Sequence, residues 1–200
     1  MRRRFLTSAA GGFCLVLVAC SEPTKTTTKE PEKPAEPETG RYAFQQMYPT
    51  ARAWATDAIP VQMESINLQQ VKSSDGKAGA WEAIFYSPSL AKARMYTWSA
   101  VEAEGNLHKG VFASAEPGLR SPKAFEIAAL RTDSDAAYKT AVEKSAEFVK
   151  KHPDMPVFFV LEMTNRFPNL AWRIVWGTSI ASSEYSVFVD ATTGEYLTKV

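Results

Sequence analysis

Hydrophobic and polar residues alternate along three segments in the C-terminal half of the chain. One segment is Val157–Met163, and two more follow Ala171. A period of two is typical of strands that bury one face. Before them, apolar residues fall at helical spacing between an N-cap at Ser134 and a break at Pro153. This half therefore predicts a helix over 135–151, followed by a three-stranded antiparallel meander.

The register of the meander predicts which side chains share a face. The first turn is expected to pair Glu162 with Arg173, and the second to pair Trp172 with Val189. Both registers place the same uncharged side chains together: Phe159, Leu161, Met163, Trp172, Ile174, Trp176, Tyr185, Val187 and Val189. Such a face must be covered, and the helix over 135–151 is the simplest cover.

A segment of the N-terminal half has the same pattern. Ala80–Leu107 and Ala171–Leu197 both start with Ala-Trp and run through two strand patterns to a Gly-centred turn. A helix over Thr50–Ala58, started by Pro49, and a strand over Pro60–Val71 are predicted before the first of them. Its core face is expected to hold Trp81, Ala83, Phe85, Tyr96, Trp98 and Ala100.

The fold class that follows is α+β, with two helix-plus-three-stranded antiparallel meander repeats in a single compact unit. The first repeat is assigned to 41–120 and the second to 121–200. The outer face of the second meander mixes apolar and charged residues. Its apolar members either pack against the other half or form a docking surface for a partner. Phe158, Val175 and Phe188 are the candidate partner-binding residues.

The end of the chain carries a family resemblance. A strand that ends Val-Asp-Ala at Asp190, followed by a turn with Gly194 and then Glu195, is similar to the closing hairpin of PepSY domains. The resemblance covers 134–200 well and 50–107 as a degenerate copy. It implies a helix-plus-meander module of exported bacterial proteins and protease propeptides, whose partner is a protease that it restrains or a client that it escorts.

The turn residues themselves have a structural explanation. Asp190 can cap its own turn through its side chain, and Gly194 supplies the positive φ that the turn needs. We therefore interpret both as structural turn residues and not as catalytic ones.

The N-terminus has the features of an export signal. Arg2, Arg3 and Arg4 precede a short apolar stretch that ends in Leu-Val-Ala and Cys20. The last four residues resemble the lipobox of bacterial lipoproteins, which implies a signal peptide over 1–19 and lipidation of Cys20. An ordinary secretory signal with an incidental cysteine is the alternative. The three arginines followed by Phe-Leu also resemble a twin-arginine export signal.

The residues after Cys20 predict a tether and a location. Residues 21–40 contain no aromatic or branched aliphatic side chain, so they cannot offset the entropy of ordering. Ser21, rather than Asp, follows the cysteine, which on the lipoprotein resemblance implies the outer membrane, facing the periplasm. The membrane is then a partner through the N-terminal lipid.

Charge and cysteine content narrow the classes of function. The chain has 23 basic and 22 acidic side chains, and removal of the three signal arginines leaves 20 against 22. This balance predicts no nucleic-acid partner. The two cysteines, Cys14 and Cys20, belong to the signal and the lipid site. The exported domain is therefore expected to have no disulfide.

Candidate chemistry is sparse. The sequence contains no nucleophile elbow, phosphate loop or dinucleotide fingerprint. The two histidines, His108 and His152, have no partner at metal-ligand spacing. Four strand carboxylates could form an acid–base pair, but solvated or paired side chains are the default: Glu64, Glu82, Glu162 and Glu184. We expect no catalytic residue, no metal and no cofactor.

These patterns favour a non-enzymatic envelope lipoprotein that binds a protein or peptide partner. Two alternatives stay open at this level. One is a small-ligand or enzymatic cleft between the repeats, and the other is a structural component of the envelope.

Overall fold

The computed structural model describes residues 34–120 and 122–200. The predicted signal peptide, Cys20 and most of the predicted tether lie outside these residues. Residues 34–200 pack as one compact unit. Its helices and strands are β1 Glu38–Thr39, α1 Gly40–Trp54, β2 Ile59–Ile66, β3 Lys77–Ala78, β4 Ala80–Ser87, β5 Lys92–Ser99, β6 Gly110–Ala115, a 3-10 helix Ile127–Ala129, α2 Ser134–Lys144, α3 Ala146–Lys151, β7 Val157–Met163, β8 Leu170–Gly177, β9 Ser183–Asp190 and β10 Tyr196–Lys199.

Eight of the strands form one antiparallel sheet in the order β10-β9-β8-β7-β2-β4-β5-β6. The α+β class with antiparallel strands is confirmed. Each half contributes four strands to the sheet instead of the predicted three, because β6 and β10 continue the meanders. The halves join where β2 pairs with β7, and β1 and β3 form a separate two-stranded ribbon.

The helices pack on one face of this sheet and bury the core. Helix α1 contacts β4 and β5, and α2 contacts β8 and β9. The core faces predicted from alternation lie under them, with Phe85, Phe159 and Ile174 fully buried. At about 1.5–3 kcal/mol for each large apolar side chain, this burial is the main cohesive force of the fold.

Helix α1 begins ten residues earlier than predicted. Thr39 caps it, its hydroxyl accepting a hydrogen bond from the N–H of Tyr42 at 3.3 Å, and Pro49 lies inside the helix rather than at its start. An internal proline costs about 3 kcal/mol. The apolar face of the helix offsets this cost by burying residues at helical spacing: Ala43, Phe44, Met47 and Ala51.

The second predicted helix is divided at Ser145. Its two parts, α2 and α3, end at Lys151, as predicted. The N-cap is Asp133, whose carboxylate accepts a hydrogen bond from the N–H of Ser134 at 2.7 Å. The Ser134 hydroxyl does not cap the helix, because it donates a hydrogen bond to the carbonyl of Gly76 at 2.5 Å.

One predicted hairpin register is confirmed and the other is wrong by two residues. Trp172 faces Val189 as expected. However, Glu162 faces Ala171 and Arg173 faces Val160. The polar loop after Met163 gave no signal for the centre of the turn. Because the error is an even number of residues, every side chain still lies on its predicted face.

Candidate functional site

The sheet face opposite the helices, which we call the open face, carries a groove of about 960 Å³. Strands β2, β4, β5 and β7 supply its floor, and the loops after β5 and β8 supply its walls. We call it the open-face groove. Its lining includes Glu64, Glu82, Thr97, Leu107, Phe158 and Ile180.

Two glutamates face each other across the floor of the groove. Glu64 on β2 pairs directly with Glu82 on β4, and on its other side faces Val160 on β7. Val160 in turn faces Arg173 on β8. Like charges directly opposite one another destabilise a sheet, so this pair is an unfavourable feature of the fold itself.

The pKa of Glu64, one member of this pair, is raised toward neutral pH. Burial, a hydrogen bond with Glu82 and the charges of Glu82 and Glu162 raise the pKa of Glu64 to about 7. A carboxyl with this pKa can accept or donate a proton under physiological conditions. The groove therefore holds a group that responds to the charge of whatever occupies it.

Both glutamates were predicted to lie in strands, but the sequence did not predict that they face each other. Glu82 directly follows Trp81, which places it on the face opposite the core. Its partner Glu64 could be identified only from the β2–β4 register, and β2 was predicted to begin at Pro60 and run on to Val71. The hairpin connecting the strands also contains the β3 ribbon, which obscured the turn.

The third strand carboxylate, Glu162, lies beside the groove and not in it. Burial raises the pKa of Glu162, while the charge of Arg173 acts in the opposite direction. Arg173 also donates from Nε to the Ser186 hydroxyl at 3.2 Å, and its guanidinium lies 5.9 Å from the Phe188 ring centroid. Arg173 is thus held by the second half of the sheet. Glu184, the fourth carboxylate, is exposed on β9.

The candidate partner-binding residues lie on the open face but differ in accessibility. Phe158 is half-buried and lines the groove. Val175, which faces it on β8, is fully buried and presents no surface to a partner. Phe188 is half-buried outside the groove and packs on Phe167 with 5.4 Å between ring centroids.

The turn after β9 is held by Asp190. One oxygen of its carboxylate accepts hydrogen bonds from the N–H groups of Thr192 at 2.7 Å and Thr193 at 2.9 Å, and the other accepts from the Asn169 amide at 2.8 Å. Burial would raise the pKa of Asp190, but these hydrogen bonds outweigh it and the pKa is lowered. Gly194 closes the turn with φ of +77°.

Neither of the two histidines lines the groove. Nδ1 of His108 lies 3.1 Å from the carboxylate of Glu102, and the ring of His152 stacks on Phe148 at 4.6 Å. Within 34–120 and 122–200, no group of three His, Cys, Asp or Glu side chains is arranged to hold a metal ion. Over the same residues, no helix has the length and apolar character needed to cross a membrane.

Comparison with known proteins gives few matches. No protein-family model and no curated protein matches the chain. Among solved structures, the chain is similar to the crystal structure of a "putative lipoprotein" from Clostridium difficile 630. The two share 11% sequence identity and superpose with a TM-score of 0.49 over 79% of this chain and 91% of the other.

Proposed function

We propose that this protein is a non-enzymatic envelope lipoprotein that binds a protein or peptide partner on its open face. The observation that carries the proposal is the asymmetry of the sheet. In the described part of the chain, the two longest helices, α1 and α2, pack on one face, and the other face offers a wide groove with Phe158 half-exposed in it. Grooves with apolar walls and a few polar groups are the usual form of binding sites.

The anchor and the location belong to the same proposal. Cys20 would carry the lipid and residues 21–40 would act as the tether, which places the domain in the periplasm at the outer membrane. The two halves would be PepSY-like copies. In support of this, each half has a helix followed by four antiparallel strands of the sheet, and each has a buried Trp in its second sheet strand, Trp81 and Trp172.

A photo-crosslinking amino acid tests the binding site directly. Placed at Phe158 in intact cells, it is expected to capture one recurrent envelope protein. Placed at Lys139, an exposed residue of α2 on the helix face, it should capture none. Equal capture from both positions, or none from Phe158, would contradict the proposal.

The lipid anchor is tested by Cys20→Ser. This variant should leave the membrane fraction and lose most of the Phe158 crosslink, because the tethered form searches for its partner near the membrane surface. Retention of the variant in the membrane fraction would argue against lipidation at Cys20.

One observation favours a second candidate, a small-ligand or enzymatic cleft in the same groove. Glu64, with a pKa of about 7, faces a second carboxylate, and such pairs perform acid–base chemistry in enzymes. Turnover of a small substrate that disappears in Glu64→Gln and persists in Glu184→Gln would replace the binding proposal with this one.

A further inference from the structure

The charge that lines the open-face groove has a single sign. Among the described residues of its lining, Glu64, Glu82 and Glu104 are acidic, and none is Lys, Arg or His. Arg173 lies on the same face, but it acts on Glu162 and is not among the groups that set the pKa of Glu64. The groove thus presents negative charge without an internal counter-ion.

Apolar side chains lie beside the carboxylates of the groove, among polar residues of the flanking loops. Phe158 rises from β7, Leu107 and Ile180 come from the flanking loops, and Met95 comes from β5. A ligand that fits has a cationic head for the carboxylates and an aliphatic stem for these apolar side chains. Lysine and arginine side chains have this construction, since their stems bury against apolar surface while the head stays polar.

We propose that the open-face groove recognises a lysine or arginine side chain of the partner polypeptide, seated over Glu64 and Glu82 with apolar residues beside it. This inference rests on the proposed function, because it gives the chemistry of the partner segment that would occupy the groove. A nucleic acid would be repelled by the same charges, and two facing carboxylates alone make a poor cage for a metal ion.

A bound cation would reduce the same electrostatic repulsion that the proton on Glu64 reduces in the free protein. Without a ligand, the proton on Glu64 relieves repulsion from Glu82 and Glu162, while Glu104 adds further negative charge at the rim. The charge of Arg173 acts on Glu162 and is not among the causes that set the pKa of Glu64. An ammonium or guanidinium group supplies the missing positive charge, so Glu64 releases its proton when the cation binds.

The affinity should therefore depend on pH in a defined direction. Only the ionised form of Glu64 presents full charge to the cation. With half-titration near pH 7, the ionised fraction, and with it the affinity, should rise about tenfold between pH 6 and pH 8. The lysine of the ligand stays charged over this range, so the change reports on the groove.

The test uses the full chain in nanodiscs of uncharged lipid and two unlabelled peptides. One is acetyl-Ala-Phe-Lys-Phe-Ala-amide, and the other replaces the lysine with norleucine, which has a similar stem and no charge. Isothermal titration calorimetry should show at least tenfold weaker binding of the norleucine peptide, and binding of the lysine peptide should strengthen from pH 6 to pH 8. Empty nanodiscs correct for binding to lipid.

Variants of the groove provide the matched comparison. Glu64→Gln with Glu82→Gln should weaken binding of the lysine peptide at least tenfold at pH 8, whereas Glu184→Gln, an exposed carboxylate outside the groove, should leave it unchanged. Equal binding of both peptides, equal binding by the double variant, or no binding of the lysine peptide at all would overturn the inference.

The Phe158 crosslink separates this inference from the proposed function. If the double Gln variant still captures the cellular partner at the unaltered level, binding on the open face stands and recognition through a basic side chain falls. If no partner is captured from the unaltered groove, the proposed function falls as well.

Discussion

The two halves of the sheet use the same buried construction and differ on the open face. Trp81 and Trp172 are fully buried, and their indole N–H groups donate to main-chain carbonyls just before a helix, at Glu38 (3.0 Å) and Thr132 (2.9 Å). The two rings meet edge to face at 6.2 Å. The cores of the halves are therefore one core, joined at this tryptophan pair.

The residue after each tryptophan shows the difference. Glu82 follows Trp81 and faces Glu64, whereas Arg173 follows Trp172 and faces the neutral Val160. The second half thus places a satisfied cation where the first half places two like charges. Departures from a stable local arrangement are expected at functional sites, so the glutamate pair marks the part of the groove where we expect a ligand.

The largest effect should come from the shared tryptophans. Trp81→Ala and Trp172→Ala should each lower the free energy of unfolding by about 3–5 kcal/mol, because each leaves a large cavity and an unsatisfied carbonyl. Urea unfolding should show one cooperative transition for both variants. Two separate transitions would mean that the halves unfold independently, and the idea of one core would be wrong.

The helix starts should give the next largest effect. Gly40 opens α1 with no room for a Cβ, which would lie 2.6 Å from Trp172 and 2.9 Å from Met63. Its N–H donates to the Ser134 hydroxyl at 2.8 Å, at the start of α2. Gly40→Ala and Ser134→Ala should each lower the free energy of unfolding by about 1–3 kcal/mol, measured by thermal or urea unfolding. The first change overpacks the core, and the second leaves buried polar groups without a hydrogen-bond partner. Gly118→Ala, where a Cβ meets nothing, is the control.

Giving the first half the side chain of the second should stabilise it. Glu82→Arg places a cation opposite Glu64, so we expect a gain of about 0.5–1 kcal/mol at pH 8 and a lower pKa of Glu64. In the unaltered protein the folded pKa of Glu64 is raised, so its contribution to stability is present in acid and is lost as pH rises toward 7. The free energy of unfolding should therefore decline over this pH range, and it should not decline in this way for Glu64→Gln. A decline of the same size in the variant would assign it to another group.

The turns of the two halves should respond differently to substitution and to pH. Asp190 has a lowered pKa in the folded state, so it stabilises the fold above the pKa of an unfolded Asp, near 4, and the effect is lost as pH falls below that value. Asp190→Ala should cost about 1–2 kcal/mol at pH 7 and little at pH 2. Glu102 at the corresponding turn of the first half accepts a hydrogen bond from the N–H of Lys109 at 3.0 Å, but it is exposed, so its replacement by Ala should lower the unfolding midpoint less than Asp190→Ala does. Equal losses at both turns would remove the distinction between them.

Much of the sheet could be predicted because alternation is a local property. A strand buried on one face must place its apolar residues at every second position, so the core faces around Trp81 and Trp172 are visible in the sequence. The strand over Val157–Met163 has its predicted bounds. The start of α1 was mispredicted because Pro49 looks like a helix start. The burial of the apolar face of α1, which includes Met47, offsets the cost of a proline inside the helix.

The candidate site could not be predicted in the same way. The facing of Glu64 and Glu82 depends on the register between β2 and β4, which a long connection separates, and the raised pKa of Glu64 depends on burial in the finished sheet. Nothing in the local pattern distinguishes these two carboxylates from Glu184, which is exposed.

The sequence by itself determined the strands, their buried faces and the turn at Asp190, because each follows from the chemistry of residues close together along the chain. The tertiary structure decided that β2 joins β7 in one continuous sheet, that the helices leave one face open, and that two glutamates meet there. These are contacts between residues distant in sequence, and their energies depend on the whole assembled sheet rather than on any one segment.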